Sequence, residues 1–452
     1  MTEELKKVLG LPSILATAVG MTIAVTTLVS VCQGTGLGGY SFIYAMLIAW
    51  VLMMFQAFTF CELALSIPRA GSISSYTEIV LGHFPAIIAT LSGYIIVQLL
   101  AAPAEIALTS FIVNKIFFPS VSPTLIGILM IVLFMALNML GVDVFAKAEI
   151  VFNIIKIIAV LIIGVVGVVS MGNPQVKYVA PAIRIEDIFN LVVLAVWLMM
   201  GQEFLCPLIE ETKNPKRDIP LSMFIALAFI LMLNTLLGVA ALKHVPMNIL
   251  STSFTPHLDV ASAILGQTGL YVVGIASFFA SAAIISTLLA AIPRMLYGMA
   301  HAGQVPAIFK WLHPRFRTPW VGIILLGLGM LLPILTGIST IETIVVFIVA
   351  SALSWLLTYI IAHIDLIVLR VKQPELPRPF KTPFFPIPQI LGIAGIIGMM
   401  IYIFPDPKVK ADIYKYALYF MGGGAVYALL WCTFKMKKGL FKPVKYEEAL
   451  KE

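Results

Sequence analysis

From Leu11 onward the apolar residues neither alternate with polar ones nor form a stripe. They run in solid blocks, parted by short polar joints rich in Pro and Gly. Blocks of about 20 such residues are long enough to cross the hydrocarbon of a bilayer as helices. Twelve can be marked, near 12–38, 41–66, 86–117, 121–141, 147–171, 187–210, 219–242, 262–292, 320–337, 341–369, 387–404 and 413–434. The pattern predicts an all-α polytopic membrane protein with 12 transmembrane helices.

Two blocks are interrupted. The sixth lies in LVVLAVWLMMGQEFLCPLIEETKNPKRDIP, Leu191 to Pro220, and carries Gly201, Gln202 and Glu203 in its middle. A charged side chain at mid-membrane costs at least about 2.5 kcal/mol, so it is rarely there without a task. The adjacent glycine weakens the helix and frees backbone groups, which only a protein-facing or water-lined segment tolerates. A broken helix with a carboxylate at the break predicts a ligand site; the plainer alternative is a kinked helix whose Glu pairs with a neighbour. The first block holds Gly20, then Ala24, Val25, Thr26 and Thr27 at mid-depth, then Gly34, Gly36, Gly38 and Gly39. Its β-branched and hydroxyl residues weaken helix, although one continuous helix stays open at this point. Blocks one and six lie five apart, the spacing that a five-plus-five inverted repeat with broken helices 1 and 6 would give.

Composition narrows the picture. The chain has 452 residues, 60% hydrophobic and only 11% charged. Soluble domains average about 25% charged, which excludes a globular enzyme, and no catalytic constellation falls in the loops. The net charge of +7 is distributed asymmetrically. With a cytoplasmic N-terminus, 21 of the 29 Lys and Arg fall inside, Lys6, Lys7 and the tail from Lys435 to Lys451 among them. Seven fall outside (Lys115, Lys177, Arg184, Lys243, Lys408, Lys410, Lys415) and one, Lys156, within a span. The asymmetry predicts a multi-pass protein of the cell membrane with both termini cytoplasmic, its basic tail facing lipid headgroups rather than nucleic acid. Cys32, Cys61, Cys206 and Cys432 are scattered in apolar spans and read as small hydrophobes, without metal-like spacing. The opening MTEELKKVLG is too acidic, and too soon followed by a full span, for a cleaved signal peptide.

Ionisable groups inside spans are the remaining candidates. Lys156 lies nine residues past Lys147, roughly 13 Å at helical rise and too deep to snorkel, so it must meet a carboxylate or backbone carbonyls. Glu105, in the same span as Gln98, either faces the bundle interior or stays protonated. Glu62 sits near the end of span two and is expected to pair with a loop cation. In span eight Ser277, Ser281, Ser286 and Thr287 lie among alanines, a helix-packing surface for most of them. His301 and His313 follow in an amphipathic stretch and are expected to be solvated. The loop LRVKQPELPRPFKTPFFPIP is a rigid non-helical connector, and spans eleven and twelve look peripheral.

Several stretches, in this order and spacing, carry a resemblance. They are Pro68-Arg69-Ala70-Gly71 with Tyr76, Trp197 to Arg217, Arg294-Met295-Leu296-Tyr297 through Gly303 to Pro306, and Arg378-Pro379-Phe380-Lys381. Over essentially its whole length the chain resembles the amino acid–polyamine–organocation permeases with the LeuT-type fold. The resemblance implies that Trp197 caps a bound substrate and that carbonyls of the Gly201–Glu203 break take its amino group. It implies that Lys156 replaces a sodium ion between helices one and eight, with Ser281 the hydroxyl facing it. It also implies that Ala24, Val25 and Thr26 stand where the family has Gly-Ser-Gly, whose bare amides hold the substrate carboxylate. Side chains on two former glycines crowd that approach, and Gly71-Ser72 replaces a Gly-Gly.

The expectation is a secondary transporter of amino acids or related small amines working by alternating access, proton-coupled or sodium-independent. Ala24, Val25, Thr26, Trp197, Gly201, Gln202 and Glu203 would bind substrate, and Lys156, Glu105 and Ser281 would couple ions. No metal, cofactor or nucleic acid is implied; the partners are a small amine-bearing solute, protons and the bilayer. Helices 1–5 (1–171) and 6–10 (187–369) would be the two halves, 387–434 the peripheral helices and 435–452 a basic tail. An amine or polyamine carrier or an obligate exchanger is the alternative, and a non-transporting sensor or a channel the more remote ones.

Overall fold

Each apolar block is helical in the computed structural model, which describes residues 5, 7–182, 184–336, 341–404 and 406–449, with the backbone alone at 185, 186 and 341–345. Lys6 and Lys451 of the basic inventory lie outside the described residues, as does half of the opening MTEELKKVLG. The principal helices are α1 (Leu11–Thr22), α2 (Val25–Gly38), α3 (Ser41–Ser66), α4 (His83–Ile116) and α5 (Pro123–Met139). Then come α6 (Val142–Val169), α7 (Ile185–Trp197), a 3-10 helix (Gln202–Glu211), α8 (Pro215–His244) and α9 (Pro256–His301). The last are α10 (Trp320–Leu335), α11 (Ile341–Lys372), α12 (Ile387–Ile401) and α13 (Pro407–Leu430). Among the described residues eight helical segments are long and apolar enough to cross a bilayer, nine with the bent pair α1–α2. The apolar helices α5, α10 and α12 are shorter, at 17, 16 and 15 residues.

The first block is not one helix. The backbone leaves helical geometry at Ile23 and Ala24, and α1 and α2 meet at 53°. The pair sits at the centre, α1 against α6, α8 and α9, and α2 against α7 and α8. Pro407–Met436 is only 17% buried in its apolar window, against 83% for Asp187–Glu211, so the last helix is peripheral, as expected.

The two ends of the bundle differ. At the end bearing the termini, the amides of Val8 and Leu9 donate to the Glu211 carbonyl at 3.0 and 2.9 Å, and Lys213 N–H returns to the Leu9 carbonyl at 2.8 Å. There Arg294, 2% exposed, forms a bidentate pair with the Glu211 carboxylate, and Ala70 N–H donates to Glu210 at 2.9 Å. Tyr446 OH ties the chain's last described segment to the Ser66 carbonyl at 3.0 Å. This end is shut. The opposite end opens into a vestibule of about 430 Å³ between α2, α7 and α11.

Two expectations about this shut end need separating. Glu62 is paired, accepting from Arg370 at 2.7 and 2.6 Å with Arg378 at 3.4 Å. His301 and His313 are half-buried rather than solvated, because the stretch after α9 folds back on the bundle. His313 Nδ1 accepts the Arg315 and Phe316 amides at 3.2 Å, and His301 packs edge-on against Tyr297.

Candidate functional site

Ending a helix leaves carbonyls without donors, and starting one leaves amides without acceptors. The break in the first block creates both at mid-bundle, away from water. The free end of α1 is met by a cation: Lys156 on α6, fully buried, donates from Nζ to the carbonyls of Gly20 and Ile23 at 3.1 and 3.0 Å. The start of α2 is met by an anion. Glu105 on α4 accepts the Val25 amide on Oε1 at 2.7 Å and the Thr26 amide on Oε2 at 3.0 Å. Each charge sits at the helix pole that favours it. Thr27 completes the joint, accepting from Ala24 N–H at 3.2 Å and donating to the Thr22 carbonyl at 3.0 Å.

Glu105 is held from a third side. Ser281 Oγ on α9 donates to Oε1 at 2.7 Å, and Thr109, one turn beyond Glu105, lies 2.5 Å from Ser281 Oγ. Since the Ser281 proton is committed to the carboxylate, the Thr109 hydroxyl is the donor in that pair. Pro103 lies within the helix just before Glu105, and a π-helical turn at Leu91–Ile95 precedes both. Both features reset which face α4 turns inward.

This differs from the sequence-based expectation in two respects. Ser281, expected to face Lys156, has its hydroxyl bonded to Glu105. The Val25 and Thr26 amides, expected to be open to a substrate carboxylate, already hold one belonging to the chain. Sequence reasoning missed Glu149, fully buried on α6 beside the break. Asn153 Nδ2 donates to Glu149 Oε1 at 3.1 Å and to the Ala16 carbonyl at 3.0 Å. Gly20 is where α1 clears this carboxylate: a Cβ there would run into Glu149 Oε1. Glu149, Asn153 and Lys156 share one helix face at i, i+4 and i+7, a signal present in the sequence.

The second break is built differently. α7 stops at Trp197, Gly201 turns in the left-handed region at φ +111°, and the chain resumes as the 3-10 helix. Only glycine fits Gly201, since an added Cβ would approach Met21 Cγ to 2.5 Å. Glu203 is 2% exposed and lacks a cationic partner among the described residues. Its Oε1 accepts Trp355 Nε1 at 2.7 Å and Tyr359 OH at 3.0 Å, both from α11 one turn apart, while Oε2 has no partner. Gln202 turns back onto the Met199 carbonyl. Trp355 and Tyr359 also escaped sequence reasoning, because an aromatic pair at i, i+4 reads as ordinary helix packing until its partner is known.

Between the breaks lies a cavity of about 30 Å³, room for about one water. Of the expected residues Ala24, Thr26, Glu105 and Trp197 line it, and Trp355 closes another side, edge-on to Trp197 at 6.4 Å. Val25, Gly201, Gln202, Glu203, Lys156 and Ser281 stand behind the lining. Trp197 and Thr26 also line the vestibule, so together they separate it from the central cavity. Among the described residues no group of three or more His, Cys, Asp or Glu is placed to hold a metal ion.

A helical bundle with a broken helix beside a small central cavity, and a larger vestibule beyond it, is the architecture of a membrane transporter. The chain belongs to the amino acid permease family, whose profile matches residues 9–429, and is therefore a transporter rather than an enzyme. Among its relatives, the human cystine/glutamate transporter is 26% identical over 411 residues, 88% of this chain and 80% of that protein. The branched-chain amino acid permease BcaP of Bacillus subtilis is 25% identical over 446 residues, covering 89% and 88%. In three dimensions the chain is similar to the manganese transporter of Eremococcus coleocola, solved with an aromatic bis-isothiourea substituted compound. That TM-score is 0.63 at 12% identity over 94% of both chains, a shared fold.

Proposed function

We propose that this amino acid permease family member moves amino acids or related small amines by alternating access, through the cavity beneath Trp197. The observation that carries this reading is that both helix breaks border one small central cavity, with a vestibule beyond Trp197 and a bonded gate at Glu211–Arg294. The arrangement corresponds to an outward-facing form if, as the Lys and Arg asymmetry favours, the termini are cytoplasmic and the membrane is the cell membrane. Residues 1–171 and 187–369 form the two halves that rock about the site, 387–434 the flanking helices and 435–452 the basic tail.

Substrate enters from the vestibule when Trp197 swings, then lies against Ala24–Thr26 and the Gly201-Gln202-Glu203 break. Lys156 acts in place of a sodium ion, tying α6 to the end of α1. Transport is therefore sodium-independent, with Glu105 and Ser281 the further candidates for handling a proton. The test is counterflow in proteoliposomes preloaded with a mixture of amino acids and amines, in sodium and in sodium-free buffer. Accumulation unchanged by sodium is expected. A strict sodium requirement overturns the role of Lys156, and no exchange of any solute overturns the transport reading.

A further inference from the structure

We propose that Glu105 is a built-in carboxylate which fills the anion site at the break, so that the substrate is an organic amine lacking a free carboxylate. This rests on the transport reading above and names the substrate class of the same cavity.

The two amides at the start of α2 can hold one carboxylate, and Glu105 takes both, one on each oxygen. Its third bond, from Ser281, is itself backed by Thr109. Glu105 is 2% exposed and emerges from a wall of apolar neighbours, Val97, Ala101, Ala102, Ile284 and Leu288. A displaced Glu105 would lose three donors and find none among these side chains, so departure is strongly unfavourable. A second carboxylate arriving beside it would meet like charge in a buried, largely apolar site. Lys156, the buried cation beside the break among the described residues, is committed to the Gly20 and Ile23 carbonyls.

The lining of the cavity points the same way. The cavity between Trp197 and Trp355 presents aromatic surface, apolar wall and one carboxylate. An alkylammonium or arylalkylammonium ion fits that chemistry: its charge lies against Glu105 and the indole rings, its carbon body against the apolar wall.

The test compares matched pairs, an amino acid and the amine left by its decarboxylation: leucine with isoamylamine, phenylalanine with phenethylamine, lysine with cadaverine. Binding to purified full-length protein by intrinsic fluorescence is measured beside counterflow in proteoliposomes. The expected result is that at least one amine binds and exchanges while its parent amino acid is weaker by about a hundredfold, the effect of a buried like-charge conflict. Glu105→Ala should weaken the amine about tenfold or more, and millimolar formate should restore it by entering the vacated anion site. A structural role for Glu105 would not give that rescue. Glu105→Gln, which keeps the shape, should not respond to formate. If amino acids bind and exchange as well as their amines in the wild-type protein, the inference is overturned while transport stands. If neither class exchanges from preloaded vesicles, both readings fall.

Discussion

The two breaks solve one problem, loose helix ends inside a bilayer, by opposite means. At the α1–α2 break the loose ends are capped by whole charges brought from other helices, Lys156 on the carbonyls and Glu105 on the amides. At the α7 break a left-handed glycine makes the turn, and the buried carboxylate beside it is held by neutral donors, Trp355 and Tyr359. The first is an electrostatic joint, rigid because each charge is bonded to two backbone groups of the break. The second is a steric joint with a carboxylate oxygen to spare, better suited to bending during transport. On the proposed transport cycle the α1–α2 joint is expected to fix the cavity and the α7 joint with Trp197 to move.

The sharpest way to break this comparison is at Lys156. Lys156→Met keeps the length of the side chain but leaves the Gly20 and Ile23 carbonyls without a donor and Glu105 and Glu149 without a nearby cation. Removing one partner of a buried charged network costs about 3–5 kcal/mol. A large fall in the detergent-solubilised melting temperature is expected, with loss of counterflow. Unchanged melting would mean that the α1–α2 joint does not depend on charge.

A smaller but still clear effect is expected at Gly201. Gly201→Ala forces a side chain into the left-handed region and towards Met21, a cost of about 1–3 kcal/mol. Because this joint is the mobile one, exchange should slow more than the melting temperature falls. Equal losses in both would make the second break as rigid as the first and erase the distinction.

What the sequence revealed divides along the same line. Unbroken apolar runs and the Gly-Gln-Glu interruption are local signals, so the helices and the second break could be read directly. Lys156 was legible because a lysine that deep has few permitted partners. Glu105 was seen as buried, but its partners Val25 and Thr26 lie about 80 residues away in the chain, and its direction depends on how the π-turn and Pro103 rotate α4. The bond from Ser281 to Glu105 was hidden for the same reason, since a resemblance carries positions along the chain but not rotations about a helix. Glu149 was overlooked although Asn153 and Lys156 repeat on its face. The departure at Ala24, Val25 and Thr26 is intelligible beside Glu105: backbone amides that receive a slim side-chain tip from a fixed direction have no need of bare glycine.

The least costly probe is Trp197, which is only half-buried and stands between cavity and vestibule. Trp197→Ala removes no cap and leaves both joints intact, so its effect on melting should stay within about 1–2 kcal/mol, below that of a fully buried aromatic. Its effect belongs to the ligand. Without the indole the central cavity joins the vestibule, water reaches Glu105, and a bound ammonium loses an aromatic face, together weakening affinity about tenfold. Binding to purified protein separates the outcomes. Weaker binding with near-normal melting places Trp197 on the moving side of the comparison. Unaltered affinity would move the substrate away from this tryptophan and up into the vestibule.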